Sequence, residues 1–397
     1  MHSKKVLVLT HNFIRYREDS AGQFIFTLMK ELADDFEIYV LAPHQKGLPL
    51  KEIIDGLRVY RFRYQLPQFE TLAYRGDMHE QVFRSFFSKF VFLFFLLSFY
   101  FNALKIIKKE KIRILHCHWW IPAGVIGHLL SLTNPISLIL TTHGSDIFIL
   151  RKFRWALPMA RLIFKKVVAV TAISTYLKDL LSSQLGIAKE RIWTFPMPFD
   201  DKKFYPLEDK QTEMGHILSI GRLIERKGYE YLIGACGILK NENVNFKLTI
   251  IGSGPEEGKI RRMIKDLGLE NVIEILHNIP QKDLIFFYNR SQVFVLPSIT
   301  DWKMEAEGLG MVLMEAMSCK APVIGTQSGG IVDVVLHEKT GLLVPEKDPE
   351  ALAKALKRYF EDKVLREKVS EEGYNFVHEN FTPRSISKKL KAIYESI

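Results

Sequence analysis

Two glutamates and two glycines lie close together in the segment Glu307-Gly-Leu-Gly-Met-Val-Leu-Met-Glu315. Gly308 and Gly310 leave backbone amides uncovered just before an apolar stretch that predicts a helix, and a helix N-terminus attracts phosphate. We expect Glu315 about two turns inside this helix, roughly 10 Å from Glu307. One carboxylate could then bind sugar hydroxyls and the other ribose hydroxyls, with a pyrophosphate between them. Two exposed glutamates flanking a core helix are the alternative.

Two cations occur at the end of a predicted strand in the same half of the chain. The segment Gly221-Arg222-Leu-Ile-Glu-Arg-Lys227-Gly228 follows a strand predicted at His216–Ile220. Arginine and lysine form charge-assisted hydrogen bonds with phosphate, and they stabilise the charge that builds up on a diphosphate leaving group. Arg222 and Lys227 therefore predict a diphosphate site at this strand end.

A glycine pair, Gly252 and Gly254, ends the next predicted strand. Glycine allows a backbone to approach a ligand closely. After the Glu307–Glu315 segment and the Gly221–Gly228 segment, this is the third candidate ligand-binding segment that the pattern places at one edge of a single sheet.

Alternating apolar runs and helical patterns surround these segments. Strands are predicted at residues 6–10, 36–42, 112–117, 138–142, 167–171, 216–220, 246–251, 272–276, 293–296 and 322–325. Helices are predicted at residues 21–32, 83–108, 123–132, 175–185, 230–239, 257–267, 282–288 and 309–318, followed by a helical, charged stretch from residue 349 to residue 397. Strand–helix alternation indicates parallel, doubly wound α/β sheets, whose ligands bind at the carboxyl ends of the strands.

The alternation is interrupted by Pro196, Pro198 and Pro206, which mark a linker. We therefore predict an N-terminal domain at residues 1–205 and a second Rossmann-like domain at residues 206–380. A final helix at residues 381–397 is predicted to pack back on the first domain.

With these motifs the sequence resembles retaining glycosyltransferase family 4, which has the GT-B fold. The resemblance covers residues 215–347, and further marks are Leu296-Pro-Ser298, Ser328-Gly-Gly-Ile and Gly341-Leu-Leu-Val-Pro. It implies an α/β protein of two Rossmann-like doubly wound domains that face each other across a cleft. Pro198 lies in a turn where the family usually has glycine, so that turn must differ locally.

The resemblance also implies roles for individual residues. Arg222 and Lys227 would hold the donor diphosphate, Glu315 the ribose, and Glu307 would face the transferred sugar. The implied donor-binding set is Gly22, Gly221, Arg222, Lys227, Gly252, Gly254, Ser298, Glu307, Gly308, Leu309, Gly310 and Glu315.

Two segments of the first half resemble other parts of the family. Gly22, in Asp19-Ser-Ala-Gly-Gln, resembles a glycine loop over the donor phosphates. His143, in Thr142-His-Gly-Ser-Asp146, matches the loop whose histidine reaches the reacting sugar. Without the resemblance, His143 is a polar residue at a strand end for which a structural role is the alternative.

His116 and His118 raise the question of a metal site. Residues two apart in a strand share a face and Cys117 points away from it, so at most two ligands converge, fewer than zinc requires. No Asp-x-Asp motif accompanies a sugar-binding element. We predict no metal and no cofactor other than the nucleotide sugar used as substrate.

Charge and hydropathy suggest contact with a membrane. Residues 1–205 contain 29 Lys and Arg against 17 Asp and Glu, a balance of +12, whereas residues 206–397 contain 26 against 28, a balance of −2. Residues 90–101 are apolar except for Ser98, and as a helix they span about 18 Å, less than a bilayer core. This stretch is a buried helix, an interfacial helix or a membrane span. The uneven charge favours an anionic membrane surface or an anionic lipid-linked substrate over nucleic acid.

The sequence therefore predicts a retaining, metal-independent hexosyltransferase that acts on a UDP- or GDP-hexose and a glycan or lipid-linked acceptor. Its three separate cysteines predict a cytoplasmic protein, and its uneven charge and apolar stretch predict a peripheral position on the inner face of the membrane. A phosphorylase or nucleotide-sugar epimerase of the same fold is an alternative, as is a catalytically silent sugar-nucleotide-binding scaffold.

Overall fold

A computed structural model describes residues 4–17, 19, 21–74, 78, 81–82, 85–209 and 211–397. The chain divides into two compact units. Unit 1 comprises Met1–Ile173, Leu177–Met197 and Ile386–Ile397, and unit 2 comprises Ser174–Tyr176 and Pro198–Ser385. The chain passes from one unit to the other at Met197 and Pro198, within the proline-containing segment.

Unit 1 is built on a largely parallel sheet. Its strands are β1 (Lys5–Leu9), β2 (Glu37–Pro43), β3 (Lys51–Ile54), β4 (Leu57–Phe62), β5 (Ile114–His118), β6 (Ser137–Thr142), β7 (Ala169–Ala172) and β8 (Ile192–Thr194). Among the described residues the order is β3-β4-β2-β1-β5-β6-β7-β8, and only β3 and β4 pair antiparallel. Strands β5 and β7 are buried along their whole length, which is typical of a parallel sheet covered on both faces.

Helices follow most of the strands in unit 1. They are α1 (Gln23–Leu32), α2 (Phe86–Glu110), α3 (Val125–Thr133), α4 (Ser145–Lys152), α5 (Leu157–Lys166) and α6 (Thr175–Leu185). Helices α4 and α5 were not predicted, and neither were strands β3, β4 and β8.

Helix α2 is apolar on its buried face and also along most of its exposed face. Its buried side chains are Val91, Phe95, Phe99, Ala103, Ile106 and Ile107. Phe99 stacks on Phe62 of β4 with a centroid distance of 4.5 Å. Its exposed apolar side chains are Phe86, Phe87, Phe90, Leu93, Phe94, Leu97 and Phe101. At 3.6 residues per turn these two sets lie on opposite faces.

The bounds of α2 agree with the helix predicted at residues 83–108, within the part of it that the structure describes. The helix has 25 residues and is about 37 Å long, whereas the apolar run alone suggested about 18 Å. Ser85 caps its start by accepting a hydrogen bond from the amide of Ser88 at 3.1 Å. The first two residues of the predicted helix, 83 and 84, lie outside the described part of the chain. Among the described residues α2 is the one helix long and apolar enough to span a bilayer.

Unit 2 is built on a second parallel sheet. Its strands are β9 (His216–Ile220), β10 (Lys247–Ile251), β11 (Ile273–Leu276), β12 (Val293–Leu296), β13 (Val323–Thr326) and β14 (Leu342–Val344), in the order β11-β10-β9-β12-β13-β14. Its helices are α7 (Tyr229–Asn241), α8 (Glu257–Asp266), α9 (Leu284–Arg290), α10 (Met311–Ser318), α11 (Ile331–Val334), α12 (Pro349–Glu361) and α13 (Lys363–Asn380). Each strand predicted from the sequence overlaps one of the observed strands, which confirms the α/β prediction.

The last helix, α14 (Pro383–Glu395), belongs mainly to unit 1. The hydroxyl of Tyr394 lies 2.6 Å from Nδ1 of His116 on β5. Lys391 forms an ion pair with Asp35, which precedes β2. These contacts attach α14 to the sheet of unit 1.

Candidate active site

The loop after β9 presents the two predicted cations. Arg222 is exposed, and its guanidinium forms no ion pair with the residues that the structure describes. Lys227 ends a short 3-10 turn, Glu225–Lys227. Gly228 follows with φ of 63°, and a Cβ atom there would lie 2.0 Å from the carbonyl oxygen of Pro297. Only glycine tolerates both the positive φ and this close contact. The backbone conformation at residue 228 therefore fixes the position of the preceding residue, Lys227.

The turn after β10 packs against the same loop, backbone to backbone. A Cβ atom on Gly252 would lie 1.9 Å from the carbonyl oxygen of Gly221, and the amide of Leu223 donates to the carbonyl of Ser253 at 2.9 Å. A Cβ atom on Gly254 would lie 2.3 Å from the carbonyl oxygen of Leu223. The structure thus brings together two of the segments that the sequence placed at one sheet edge.

Lys227 and Glu307 form an ion pair beside Ser298. Nζ of Lys227 donates to Oε2 of Glu307 at 2.6 Å, and the Ser298 hydroxyl donates to the same oxygen at 3.1 Å. Burial raises the pKa of Glu307, but the Lys227 charge and these hydrogen bonds outweigh burial and lower the pKa below its usual value. Glu307 is therefore ionised at neutral pH and can accept hydrogen bonds from hydroxyl groups.

Helix α10 begins later than predicted. Gly310 has φ of 84°, a left-handed conformation that keeps it and Leu309 out of the helix. Glu315 is consequently about one turn inside α10, and the prediction of two turns was wrong. The side chain of Leu309 is buried, so only its backbone and that of Gly308 can face a donor.

The backbone that carries Glu307 is held by the loop between β13 and α11. The amide of Gly330 donates to the carbonyl of Glu307 at 2.8 Å. The hydroxyl of Thr326 donates to the carbonyl of Ser298. Glu307 and Ser298, which lie beside Lys227, are therefore both held in place by hydrogen bonds to their main-chain carbonyl groups.

Glu315 differs from Glu307 in its electrostatic surroundings. Its Oε2 accepts a hydrogen bond from the hydroxyl of Tyr288 at 2.8 Å. Burial raises the pKa of Glu315 to about 7, although the Tyr288 hydrogen bond opposes this. Tyr288, on α9, was not among the predicted site residues, and no motif near it distinguishes it from a core tyrosine.

We expect Glu315→Gln to stabilise the protein above pH 7. The pKa of Glu315 is raised on folding, so the folded state binds the proton more tightly and its stability falls as pH rises from about 4.5 to about 7. Glutamine keeps an acceptor for Tyr288 without the buried charge, and the gain at pH 8 should be about 1–3 kcal/mol. Urea unfolding at pH 4.5 and pH 8 measures it. The control is Glu270→Gln, at an exposed site. An equal effect of Glu315→Gln at both pH values would contradict the assignment.

A second ion pair, Arg226 with Glu305 at 2.8 Å, lies next to the Lys227 pair along the chain. Nε of Arg226 is buried and has no hydrogen-bond partner among the described residues. Arg226 lies between Arg222 and Lys227 in the sequence, but the sequence pattern predicted no function for it.

In unit 1 the loop that carries His143 is organised by Asp146. Its carboxylate accepts hydrogen bonds from the amides of Trp120, His143 and Gly144 at 3.0–3.1 Å. Burial raises the pKa of Asp146 to about 6 despite these bonds. The sequence motif contained Asp146 but predicted no role for it. The structure shows that Asp146 orients the backbone at His143.

His143 belongs to a group of aromatic rings. Its Nε2 lies 3.0 Å from Nδ1 of His118, and its ring centroid lies 4.1 Å from that of Trp119. His116 is bound by Tyr394 and by the hydroxyl of Thr141 at 2.7 Å. Burial lowers the pKa of His116 to about 3 and the pKa of His143 well below its usual value. His143 is therefore a neutral imidazole, suited to hydrogen bonding with a sugar rather than to ion pairing.

The glycine loop of unit 1 lies at the start of α1. Gly22 is the N-cap residue of this helix. The carboxylate of Asp19 accepts hydrogen bonds from Nε of Arg15 at 2.6 Å and from the amide of Ala21 at 3.1 Å. Ser20, part of the same motif, lies outside the described residues. Within the described ranges no group of three or more His, Cys, Asp or Glu side chains could hold a metal ion.

Known sequences resemble the chain over both units. The family described as "Glycosyl transferases group 1" matches residues 201–376, and "Glycosyltransferase Family 4" matches residues 21–203. A putative colanic acid biosynthesis glycosyltransferase of Escherichia coli K12 is 31% identical over 280 residues, which are 70% of this chain and 69% of that protein. The GDP-mannose-dependent alpha-(1-6)-phosphatidylinositol monomannoside mannosyltransferase of Mycolicibacterium smegmatis is 28% identical over 250 residues, 59% of this chain and 64% of that protein.

Solved structures match nearly the whole chain. Sucrose-phosphate synthase from Thermosynechococcus elongatus has a TM-score of 0.80 at 21% identity, over 99% of this chain and 98% of that one. HepE from Anabaena in complex with UDP-glucose has a TM-score of 0.72 at 18% identity, over 99% of this chain and 100% of that one. The structural matches show the GT-B fold, and the sequence matches show that the chain belongs to glycosyltransferase family 4.

Proposed function

We propose that this glycosyltransferase transfers a hexose from a UDP- or GDP-hexose to a lipid-linked or glycan acceptor, with retention at the anomeric carbon and without a metal. The observation that carries the proposal is the cluster of Lys227, Glu307 and Ser298 at the edge of the unit 2 sheet. It offers an ionised carboxylate for sugar hydroxyls and an ammonium for phosphate.

Protein groups can neutralise the diphosphate in place of a metal. Arg222 is exposed and unpaired among the described residues, and Lys227 lies in the same loop. The start of α10 adds backbone N–H groups after Gly310. Positively charged donors that are already positioned stabilise the charge of a leaving phosphate with little reorganisation.

Retention is proposed through front-face substitution, which the family resemblance implies. The bond between the anomeric carbon and the donor phosphate breaks, and the acceptor oxygen bonds to the same face of that carbon. The departing phosphate oxygen takes the proton of the acceptor hydroxyl. Glu307 would orient the sugar through its hydroxyls, and His143 keeps its predicted contact to the reacting sugar.

The exposed face of α2 supports an acceptor held at a membrane. Phe86 and Phe87 are 75% and 72% exposed, and the apolar face continues to Phe101, which is 61% exposed. Lys105 and Lys108 are exposed on the final turns of the same helix. An exposed apolar stripe that ends in lysines fits the interface of an anionic bilayer, since apolar groups enter the acyl region and lysines contact phosphates. We therefore propose a peripheral enzyme on the cytoplasmic face of a membrane.

The names of the relatives agree with this class of acceptor. One relative is named for colanic acid biosynthesis and another for transfer from GDP-mannose to a phosphatidylinositol monomannoside. We propose a corresponding place in cell-envelope polysaccharide or glycolipid synthesis for this chain.

The proposal is tested by donor screening and product analysis. Thermal shifts with UDP-, GDP- and ADP-hexoses should identify one base, and a membrane lipid extract should then supply the acceptor. The anomeric coupling in the NMR spectrum of the product should match that of the donor. Inversion would refute retention, and turnover that requires inorganic phosphate would indicate a phosphorylase.

We expect activity to be unchanged by EDTA. The diphosphate charge is assigned to Arg222, Lys227 and backbone amides, none of which depends on a metal. The measurement compares initial rates with EDTA, with added magnesium and with added manganese. Loss of activity on chelation that either metal restores would show that the diphosphate is neutralised differently.

A further inference from the structure

Unit 1 contains a cavity of about 390 Å³ close to His143. Its walls come from the loop after β1, the turn after β5, the first half of α2 and the segment from α4 to α5. That volume lies within the range of small-molecule sites. None of the predicted site residues lines it, and the proposed donor chemistry does not use it.

The lining of the cavity is mostly apolar. Helix α2 contributes Phe92, α4 contributes Ile149, and the following segment contributes Phe153, Trp155 and Met159. Such walls offer few hydrogen-bond partners for a sugar, whose hydroxyls would lose water without replacement. They suit a hydrocarbon chain, since each buried methylene strengthens binding about fourfold.

Two polar residues, His11 and Asn12, also line the cavity. Nδ1 of His11 and Oδ1 of Asn12 are buried and have no hydrogen-bond partner among the described residues. The His11 ring lies 4.4 Å from Trp119, which contacts His143. The rings of His11 and Trp119 therefore connect the lining of the cavity with the predicted sugar-contacting histidine.

A cation lies at the rim. Lys89 of α2 lines the cavity, is exposed, and forms no ion pair with the described residues. An ammonium group there complements an anionic headgroup. Helix α2 thus provides both a wall of the cavity and the exposed face proposed to meet the membrane.

We infer that this cavity binds the hydrocarbon chain of a lipid-phosphate acceptor where the chain joins its headgroup. The inference rests on the proposed function and specifies the acceptor: a lipid phosphate, with the chain against Phe92, Ile149 and Phe153. The inference places the headgroup near His11 and Asn12, because both line the cavity and the His11 ring contacts Trp119 beside His143.

The tryptophans of the chain make the inference testable without an activity assay. Trp119, Trp120 and Trp155 line the cavity, whereas Trp193 and Trp302 do not. In the Trp193→Phe/Trp302→Phe variant all tryptophan emission comes from the cavity. Titration with 12-bromododecyl phosphate, below its micelle concentration, should quench this emission saturably, because bromine quenches tryptophan on contact. Unbrominated dodecyl phosphate and farnesyl phosphate should compete, and their order shows whether an acyl-like or an isoprenoid chain fits better.

Variants then locate the binding. Ile149→Glu places a charge in the apolar wall and should weaken binding at least about tenfold. Leu162→Glu is the matched control, an exposed leucine on α5 outside the cavity. Trp155→Phe, at an exposed position that folding should tolerate, should reduce the quenched fraction. Phe94→Glu, on the exposed face of α2, should leave quenching unchanged.

Two results would overturn the inference. One is quenching that does not saturate, and the other is an isotherm that Ile149→Glu and Leu162→Glu change equally. The donor screen separates this failure from failure of the proposed function. Transfer to a soluble sugar without quenching removes only the cavity assignment, whereas quenching without any donor binding removes only the transferase proposal.

Discussion

Lys227→Ala should lower the turnover of glycosyl transfer by about tenfold to a hundredfold or more, and Arg222→Ala should do the same. Each cation is assigned a charge-assisted hydrogen bond to the donor diphosphate, and such bonds contribute about 1.5–3 kcal/mol. For Lys227 the effect should be the larger one, because its ammonium also lies 2.6 Å from Glu307. Without that ammonium the pKa of Glu307 would rise through burial, and the carboxylate would lose its fixed position.

The two variants differ in their expected effect on folding. Arg222 is exposed and unpaired among the described residues, so Arg222→Ala should leave the unfolding free energy almost unchanged. Lys227→Ala leaves a carboxylate that is 15% exposed without its cation and should destabilise unit 2 measurably. Steady-state kinetics and urea unfolding on the same samples separate the two effects.

Matched controls are available in unit 2. Lys259→Ala also removes a lysine bonded to a glutamate, Glu230, and Arg261→Ala removes an exposed arginine on α8. Both controls should keep normal turnover. An active double variant lacking both Arg222 and Lys227 would end the assignment of these residues to the diphosphate.

The second large effect concerns the exposed face of α2. A variant with Phe90→Glu, Phe94→Glu and Leu97→Glu should lose binding to anionic vesicles by about a hundredfold or more. Each side chain that enters the acyl region contributes up to about 1.5–3 kcal/mol, and a carboxylate would be repelled by the lipid headgroups. These residues are 44–57% exposed, so the fold should tolerate the change.

Charge should contribute separately. Changing Lys108, Lys109 and Lys111 to Glu should weaken binding further at low salt, since each basic residue near the surface contributes about 1 kcal/mol and salt screens it. Cosedimentation with anionic and neutral vesicles measures both effects. Ile53→Glu, an exposed isoleucine on β3, is the control. Equal binding to neutral and anionic vesicles, or none at low salt, would contradict membrane docking and make a soluble acceptor equally plausible.

The features predicted best are those carried by local pattern. Strand β12 is a continuous apolar run, whereas the buried strand β9 contains His216 and Ser219, and the ends of both strands were predicted to within a residue or two. The glycine-containing loops after them were predicted as a group because parallel strands end at one edge. The ion pair between Lys227 and Glu307 joins residues 80 positions apart, and neither motif alone contains it.

The features that were missed depend on tertiary packing, or on turn-forming residues that the sequence prediction did not use. Strands β3 and β4 are joined by Asp55 and Gly56, both with positive φ. An Asp-Gly pair is a strong hairpin signal that the sequence prediction did not use. Helices α4 and α5 were missed because they are short and have no long apolar period. The contact between Tyr288 and Glu315 arises from the packing of α9 near α10, which no spacing along the chain reveals.

The position of α14 near the end of the chain affects how this enzyme folds during translation. Strand β5 emerges early in translation, but Tyr394, which binds His116, emerges almost three hundred residues later. Unit 2 consists mainly of one continuous stretch and can fold as it leaves the ribosome, whereas unit 1 must wait for its last segment, Ile386–Ile397. A chain that terminates prematurely after residue 385 would therefore carry a finished unit 2 and an open unit 1. Its uncovered apolar face would attract chaperones and proteases.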